Sequence, residues 1–255
     1  MKVDLNADLG ESFGNYKCGK DEEVIRYVSS VNIACGFHAS DPLVMAQTVK
    51  LAADATVAIG AHPGYPDLVG FGRRNMSVSA SELKAMVQYQ IGALQAFCNA
   101  SHVKMQHVKP HGAMYNMAAK DEKLAAAVAE GIYETDPNLI LLGLSGSLMI
   151  RAAQKTGLRA ANEVFADRAY RSDGTLVPRS QEGAVIEDLF LAVRRTITMV
   201  KDGVVTAIDG TVIPIKADSV CLHGDGKKAV LFARMLFEEL TKEGVKIVPI
   251  AKVIG

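Results

Sequence analysis

Residues 3–9 read Val-Asp-Leu-Asn-Ala-Asp-Leu, an alternation of apolar and polar residues. Successive side chains of a β-strand point to opposite faces, so Asp4, Asn6 and Asp8 share one face and the apolar residues share the other. A strand that helices cover on both faces would instead be apolar almost throughout. The pattern therefore predicts a barrel strand with helices outside it and polar groups inside. An edge strand of an open sheet would show the same alternation, and this alternative stays open.

Apolar β-type runs alternate with helical patterns along the chain, which is typical of a mainly parallel sheet. We predict core strands near residues 3–9, 31–37, 56–61, 105–111, 139–145, 159–165, 218–223 and 246–250. We predict helices near residues 20–30, 41–54, 79–100, 120–135, 147–157, 186–202 and 226–243. This order predicts an α/β protein with one β/α-barrel domain over residues 1–255 and eight strands.

Three segments interrupt the alternation. Residues 62–78 and 166–185 are long polar loops, and loops of this length in a compact domain are usually functional or disordered. Their aromatic and arginine residues favour lids or pocket walls. Residues 204–215 are predicted to form a β-hairpin that turns at Asp209-Gly210, as an insertion before the seventh strand.

The composition argues against several classes of protein. The 28 basic residues balance the 28 acidic residues, so we expect no binding to nucleic acid or to anionic membranes. No apolar stretch is long enough to span a bilayer, and residues 1–6 do not resemble a secretory signal. The four cysteines lack CxxC spacing and three lie in apolar runs, which predicts reduced thiols in a cytoplasmic protein.

Five of the six histidines lie at or just beyond the ends of short apolar runs, namely His38, His62, His107, His111 and His223. Most share these positions with carboxylates, amides or a lysine. Polar groups at the carboxyl ends of successive parallel strands form the active site of a β/α barrel, so the pattern predicts an enzyme. A lone histidine in such a place is more often a hydrogen-bonded core residue, whereas several on neighbouring strand ends favour function.

Lys109 and Asp8 are the main candidates for chemistry. Lys109 shares a strand face with His111, and a buried lysine must be paired or functional. Asp8, His38 and His62 offer ligand types suited to a divalent metal, although the chain has no HExxH motif. We expect changes at Asp8 and Lys109 to reduce turnover and to leave folding intact.

Known nucleotide-binding and nucleophile motifs are absent. The chain has no GxxxxGK(S/T) loop and no GxGxxG between a strand and a helix, and residues 143–147 miss the GxSxG motif by one position. Residues 224–228, Gly-Asp-Gly-Lys-Lys, could bind phosphate through backbone amides. A tight glycine turn with solvated lysines is the alternative.

Six ordered blocks of the sequence closely resemble the LamB/YcsF family. They include Asn-Ile-Ala-Cys-Gly-Phe-His at 32–38 and Val-Lys-Pro-His-Gly at 108–112, and they span residues 3–11, 32–41, 60–74, 108–116, 163–170 and 220–225. The resemblance implies the irregular, seven-stranded β/α barrel of polysaccharide deacetylases and certain glycoside hydrolases. A count of eight barrel strands would then be one too many.

The resemblance also implies a function. It implies ATP-dependent opening of 5-oxo-L-proline to L-glutamate, with this chain as the hydrolytic subunit and 5-oxoprolinase subunits B and C as partners. ATP would be consumed, and the partners could bind it because this chain lacks a known nucleotide-binding loop. A divalent metal and a homo-oligomer are left open.

Roles can be assigned to individual residues on this interpretation. Asp8 would be a general base or metal ligand, and Lys109 would stabilise an oxyanion or hold a phosphoryl group. The catalytic candidates are Asp8, Lys109, His111, Glu163 and His223. The substrate-binding candidates are Asn6, Glu11, Arg73, Arg74, Arg168 and Arg179, of which the arginines would pair with the substrate carboxylate. The metal candidates are Asp8, His38 and His62.

Two other functions stay open. A metal-dependent carbohydrate deacetylase would be favoured by tight zinc binding at Asp8, His38 and His62 and by an open groove for a polymer. A non-catalytic regulatory subunit would instead use the barrel mouth as a ligand sensor.

Overall fold

Strands and helices alternate along the protein, whose computed structural model describes residues 1–222 and 229–255. The strands in these ranges are β1 (Lys2–Leu9), β2 (Ser30–Ala34), β3 (Ala58–His62), β4 (Met105–Val108), β5 (Ile140–Leu144), β6 (Arg159–Phe165), β7 (Val204–Thr206), β8 (Val212–Pro214), β9 (Ser219–Leu222) and β10 (Lys246–Ile247). The helices are α1 (Asp21–Val24), α2 (Pro42–Asp54), α3 (Ala80–Ala100), α4 (Gly112–Ala118), α5 (Glu122–Thr135), α6 (Leu148–Thr156), α7 (Leu189–Lys201), α8 (Ala229–Lys242) and α9 (Ile250–Ile254).

Seven of the described strands close into a parallel ring in the order β1, β2, β3, β4, β5, β6, β9, and β9 pairs back with β1. The strand predicted last along the chain is the short β10, which pairs only with Lys2 and Val3 of β1 among the described residues and stands outside the ring. The irregular β/α barrel is therefore confirmed, with seven closing strands in the described chain. The predicted hairpin is also confirmed, because β7 and β8 form a separate antiparallel pair between β6 and β9.

β1 has the two faces that its sequence predicts. It pairs with β2 on one edge and with β9 on the other, so the alternative of an open-sheet edge strand is excluded. Val3, Leu5, Ala7 and Leu9 belong to the main hydrophobic core. Asp4, Asn6 and Asp8 instead bond to polar side chains of other barrel strands, which places them inside the ring.

The outer helices begin and pack as their sequences predict. Ser79 and Glu82 form a capping box at the start of α3, and the Asp41 carboxylate caps α2 just before Pro42. The stripe along α3 is fully buried, and it consists of Leu83, Val87, Ile91, Leu94 and Cys98. α3 packs against β3 and α5, and this packing supports the strands that carry the site.

Some element boundaries differ from the sequence predictions. The helix predicted at 20–30 is the short α1 followed by a 3-10 turn, Ile25–Tyr27. The strand predicted at 105–111 ends at Val108, since Pro110 cannot donate a ladder hydrogen bond and Gly112 starts α4. Helices α4 and α9 were not predicted because each is too short to show a helical repeat.

The described ranges also bear on membrane crossing and on the state of the cysteines. No helix there combines the length and the apolar character needed to cross a membrane. Cys18, Cys35, Cys98 and Cys221 are free thiols, and the last three are buried, in agreement with the prediction of reduced cysteines.

Gly60 of β3 makes room for a histidine of the neighbouring strand, and this gives a first testable prediction. A Cβ at Gly60 would overlap with His107 Nε2, the atom that bonds Asn32 Oδ1 at 2.7 Å. Gly60→Ala should therefore lower the free energy of unfolding by about 1–3 kcal/mol, measured by urea denaturation.

Gly92→Ala is the matched control for this prediction. Gly92 lies within α3, and a Cβ there meets nothing within 4 Å. Alanine is favoured over glycine in a helix by about 0.5–1 kcal/mol, so this variant should be slightly stabilised. Equal urea midpoints for the two variants would contradict the packing described at Gly60.

Candidate functional site

A pocket of about 450 Å³ opens at the carboxyl ends of the barrel strands. Its polar lining near the ring consists of Asp8, Glu11, His62, Lys109, His111 and Tyr115. Both long loops contribute walls, through Arg73 and Asn75 on one side and residues 175–180 on the other. The size is within the range of small-molecule sites.

Lys109 forms the centre of the pocket floor. Its Nζ lies 2.9 Å from Asp8 Oδ1, 3.0 Å from Glu163 Oε1 and 3.1 Å from Cys221 Sγ. Burial lowers the pKa of Lys109, but Asp8, Cys221 and Glu163 outweigh it and raise this pKa well above its usual range. The ammonium therefore stays charged, and it is held between two carboxylates that come from β1 and β6, the two strands that flank β9.

Two asparagine amides connect these charged groups beneath the pocket. Asn6 Nδ2 donates to Glu163 Oε1 at 3.0 Å and to Ser219 Oγ at 2.8 Å. Asn32 Nδ2 donates to Asn6 Oδ1 at 2.7 Å and to Asp8 Oδ1 at 2.8 Å. This network fixes the orientation of both carboxylates, since a fully bonded polar group in a buried site has few alternative positions.

Asp4 lies deeper in the barrel and belongs to its structural base. Its carboxylate accepts hydrogen bonds from the hydroxyls of Ser29, Ser30 and Ser219. Burial raises the pKa of Asp4 to about 6, with a smaller contribution from Glu163, although the serine hydrogen bonds act in the opposite direction. Asp4 does not line the pocket.

Tyr115 of α4 connects the pocket wall to the floor. Its hydroxyl donates to Glu163 Oε2 at 2.7 Å, so Glu163 is held by Tyr115 through one oxygen and by Lys109 and Asn6 through the other. Burial, followed by the charge of Glu163, raises the pKa of Tyr115 well above its usual range. The phenol therefore stays protonated as a donor.

Backbone carbonyls determine which nitrogens of His62 and His111 carry protons. His62 Nδ1 lies 2.7 Å from the carbonyl oxygen of Lys109, and His111 Nε2 lies 2.9 Å from that of Phe71. A carbonyl can only accept, so both of these nitrogens donate. The remaining nitrogens, His62 Nε2 and His111 Nδ1, face each other at 2.9 Å and have lone pairs when the rings are neutral.

His38 and Glu11 complete a cluster around these two nitrogens. The His38 ring stacks on that of His111 with centroids 3.7 Å apart, and its Nε2 lies 3.4 Å from Glu11 Oε1. Both His38 ring nitrogens are buried without a hydrogen-bond partner among the described residues. One donor atom from each of Glu11, His38, His62 and His111 lies within 4.8 Å of the others, so this group could hold a metal ion.

The four predicted arginines occupy different positions. Arg73, Arg168 and Arg179 line the pocket. The Arg168 guanidinium donates to the backbone oxygens of Ala184 and Val177, so Arg168 also holds the second long loop in place. Arg74 does not line the pocket, because its guanidinium pairs with Asp67 and its side chain is 66% exposed.

The other predicted site residues fall into three groups. Asp8, Glu11, Lys109 and His111 line the pocket, together with His62. Asn6, His38 and Glu163 lie behind this lining and contact it. His223 and the glycine-rich segment 224–228 lie outside the described residues.

Asn32 and Tyr115 are site residues that the sequence analysis did not single out. Both lie within blocks that resemble the LamB/YcsF family, at 32–41 and 108–116. Asn32 is one of two polar residues in the buried strand β2, and an amide between Val31 and Ile33 was the available signal. Tyr115 gave no comparable signal, because its position depends on the unpredicted helix α4.

The fold and the pocket define a seven-stranded β/α-barrel protein, with its polar site at the carboxyl ends of the strands. A deacetylase solved with its substrate is similar in fold at 15% identity, with a TM-score of 0.51, and the match covers 99% of this chain and 89% of that one. The chain belongs to the LamB/YcsF family, whose model matches residues 3–255. The family predicted from the six sequence blocks is therefore confirmed.

Two relatives are much more similar. A Clostridium beijerinckii protein named as the A subunit of 5-oxoprolinase is 65% identical over 252 residues, covering 99% of this chain and 99% of that protein. The crystal structure of a lactam utilization protein from Thermus thermophilus is 47% identical with a TM-score of 0.92, covering 97% of this chain and 99% of that one.

Proposed function

We propose that this chain is the hydrolytic subunit of an ATP-dependent 5-oxoprolinase, which opens 5-oxo-L-proline to L-glutamate. Full-length similarity to a protein named as one subunit of 5-oxoprolinase supports the substrate and the existence of further subunits. The structural observation that carries the proposal is the Lys109 ammonium held between Asp8 and Glu163 under a small pocket with arginines in its walls.

The arrangement suits hydrolysis of a cyclic amide. Asp8 takes a proton from a water molecule as that water attacks the carbonyl carbon of the ring. Lys109 stabilises the negative charge at the lactam oxygen, including the charge of the phosphoryl group that this oxygen carries after activation, because a fixed cation in a buried site acts strongly on a transition state. The carbon–nitrogen bond then breaks, and the ring nitrogen takes up the proton held by Asp8 to become the amino group of glutamate. The acyl phosphate that remains after activation by ATP is hydrolysed by a second water molecule to the side-chain carboxylate and inorganic phosphate.

ATP and the partner subunits are needed because a five-membered lactam is an unreactive amide. In addition, the opened ring closes again readily. Phosphorylation of the lactam oxygen makes the carbonyl carbon electrophilic and supplies the driving force. This sequence has no known nucleotide-binding loop, so the proposal assigns ATP binding and activation of the lactam to subunits B and C. The balanced charge and the free thiols are compatible with the cytoplasm, where ATP is available.

The proposal is tested with purified chain, partner subunits B and C, 5-oxoproline and ATP. Glutamate and inorganic phosphate should appear together, and omission of ATP or of either partner should stop both. Rapid ring opening by the isolated chain without ATP would overturn the division of labour. Absence of glutamate from the complete mixture would overturn the function.

The arginines of the pocket wall give a prediction about substrate binding. Arg73→Met and Arg179→Met should each raise KM for 5-oxoproline about 10- to 100-fold, since a hydrogen bond to a charged group contributes roughly 1.5–3 kcal/mol. kcat should change less, because the substrate carboxylate takes no part in bond breaking.

Arg74→Met is the matched control for these two variants. Arg74 follows Arg73 directly but pairs with Asp67 outside the pocket, so its loss should leave KM near the wild-type value. Steady-state kinetics with the partner subunits, ATP and 5-oxoproline give KM and kcat for all three variants. A KM that rises only in Arg74→Met would contradict the placement of the substrate carboxylate.

A further inference from the structure

Four side chains at one side of the pocket each bring a donor atom to within 4.8 Å of the others, namely Glu11, His38, His62 and His111. His62 Nε2 and His111 Nδ1 face each other at 2.9 Å, and the second nitrogen of each ring lies against a backbone carbonyl oxygen. Backbone donation of the outer ring nitrogen is also how metal-binding histidines are commonly oriented.

His38 adds an independent indication. Its side chain is fully buried, yet neither ring nitrogen has a hydrogen-bond partner among the described residues. Such a group costs free energy, and the packing around it is close. A Cβ at Gly64 would lie 2.6 Å from His38 Nδ1, and one at Gly72 would lie 2.6 Å from His38 Cβ. The fold thus keeps an unsatisfied imidazole in a fixed position.

We propose that Glu11, His38, His62 and His111 bind one divalent transition-metal ion of the zinc class. Imidazole nitrogens and a carboxylate oxygen are typical zinc ligands, and four protein donors match its usual coordination number. Tetrahedral zinc with bonds near 2.0–2.1 Å requires a separation of about 3.3 Å between ligand nitrogens. His62 and His111 need to open from 2.9 Å by only a few tenths of an ångström.

This ligand set replaces the set of Asp8, His38 and His62 that the sequence analysis considered. Asp8 Oδ2 lies 3.4 Å from His62 Nε2, but Asp8 Oδ1 is held by Lys109 and Asn32. Glu11 is the carboxylate that lies within 4.8 Å of all three histidines. Since Glu11, His62 and His111 line the pocket, the ion would face the substrate and polarise a carbonyl oxygen there.

The ion site does not depend on the identity of the substrate, so it is tested on the isolated, untagged full-length chain without substrate. The chain is stripped with a chelator, dialysed against Zn²⁺ and analysed for metal content. We expect one Zn²⁺ per chain, a higher melting temperature with Zn²⁺, and a visible absorption band with Co²⁺ that reports histidine and carboxylate ligands.

Variants separate this site from adventitious binding. Glu11→Gln and His111→Gln should each weaken Zn²⁺ binding about 100-fold or more, because even the outer partners of metal ligands contribute 10- to 100-fold. His107→Gln is the buried control and His102→Gln is the exposed control, and both should keep stoichiometric zinc. Far-UV circular dichroism and melting without metal show whether each variant is folded.

Three outcomes would overturn the proposal. The first is a folded wild-type chain that retains no Zn²⁺ at micromolar concentration, in which case His62 and His111 share a proton instead. The second is loss of zinc in His102→Gln with retention in His111→Gln, which indicates adventitious binding. The third is loss of zinc in Asp8→Asn with retention in Glu11→Gln, which would indicate that Asp8, His38 and His62 are the ligands.

Discussion

Asp8→Asn is expected to lower the turnover of 5-oxoproline about 100- to 10,000-fold, the range typical of a lost general base. Asparagine keeps the size of the side chain and an oxygen that can accept from Lys109. The variant should stay folded because Lys109 Nζ retains Glu163 Oε1 at 3.0 Å, so the buried ammonium keeps a counter-charge. Release of glutamate by the complete system measures turnover, and thermal melting reports the fold.

Asp4→Asn is the matched control, since it makes the same substitution on the same face of the same strand. Asp4 accepts hydrogen bonds from three serine hydroxyls below the site and does not line the pocket. This variant should alter stability more than turnover. Wild-type turnover in a folded Asp8→Asn chain, or equal losses in the two variants, would remove the catalytic role of Asp8.

Lys109→Met is expected to reduce the free energy of unfolding by about 3–5 kcal/mol, the usual cost of removing one partner from a buried ion pair. The structure revises the expectation that this change spares the fold. Glu163 is fully buried and Asp8 is 12% exposed, so both would face each other without the cation. Urea denaturation measures the loss, and turnover should fall as well because the oxyanion loses its partner.

A second change distinguishes charge from packing at Lys109. Adding Glu163→Gln to Lys109→Met removes one uncompensated carboxylate, so part of the lost stability should return. Lys50→Met is the surface control, since Lys50 pairs with Asp54 at 2.8 Å but is 73% exposed and should contribute less than about 1 kcal/mol. A wild-type urea midpoint for Lys109→Met would contradict the conclusion that Lys109 forms buried ion pairs with Asp8 and Glu163.

The local patterns of the sequence predicted a β/α barrel, but they counted eight strands, whereas seven of the described strands close the ring. The alternation in residues 3–9 correctly separates the inner face of β1 from its outer face, because side-chain direction in a strand follows from chain geometry alone. The same rule places His107 and Lys109 on one face, and both side chains contact polar groups inside the ring. The register of β1 against β9, which brings Asn6 beside Ser219, is a contact between distant parts of the chain that no local pattern contains.

The details of the site depend on such distant contacts. Glu11 was predicted to bind substrate, but its place beside three histidines follows from the turn at Gly10, which has a φ of 70°. Arg73 and Arg74 are adjacent and chemically equivalent in sequence. Only the fold separates them, because Asp67 holds Arg74 away from the pocket that Arg73 lines.

The pairing of β1 with β9 has a consequence for how the chain folds. The hydrogen bond from Asn6 to Ser219 joins residues that are 213 positions apart. The edge of β1 that pairs with β9 therefore stays unpaired until most of the chain has been synthesised. Closure over so long a loop is slow, and an unpaired strand invites pairing with other molecules in the meantime. The aspartates of β1 oppose such pairing, because charged side chains on an open strand discourage aggregation. One of these two aspartates, Asp8, lines the pocket of the finished barrel, so a residue of the site also protects the barrel while it is incomplete.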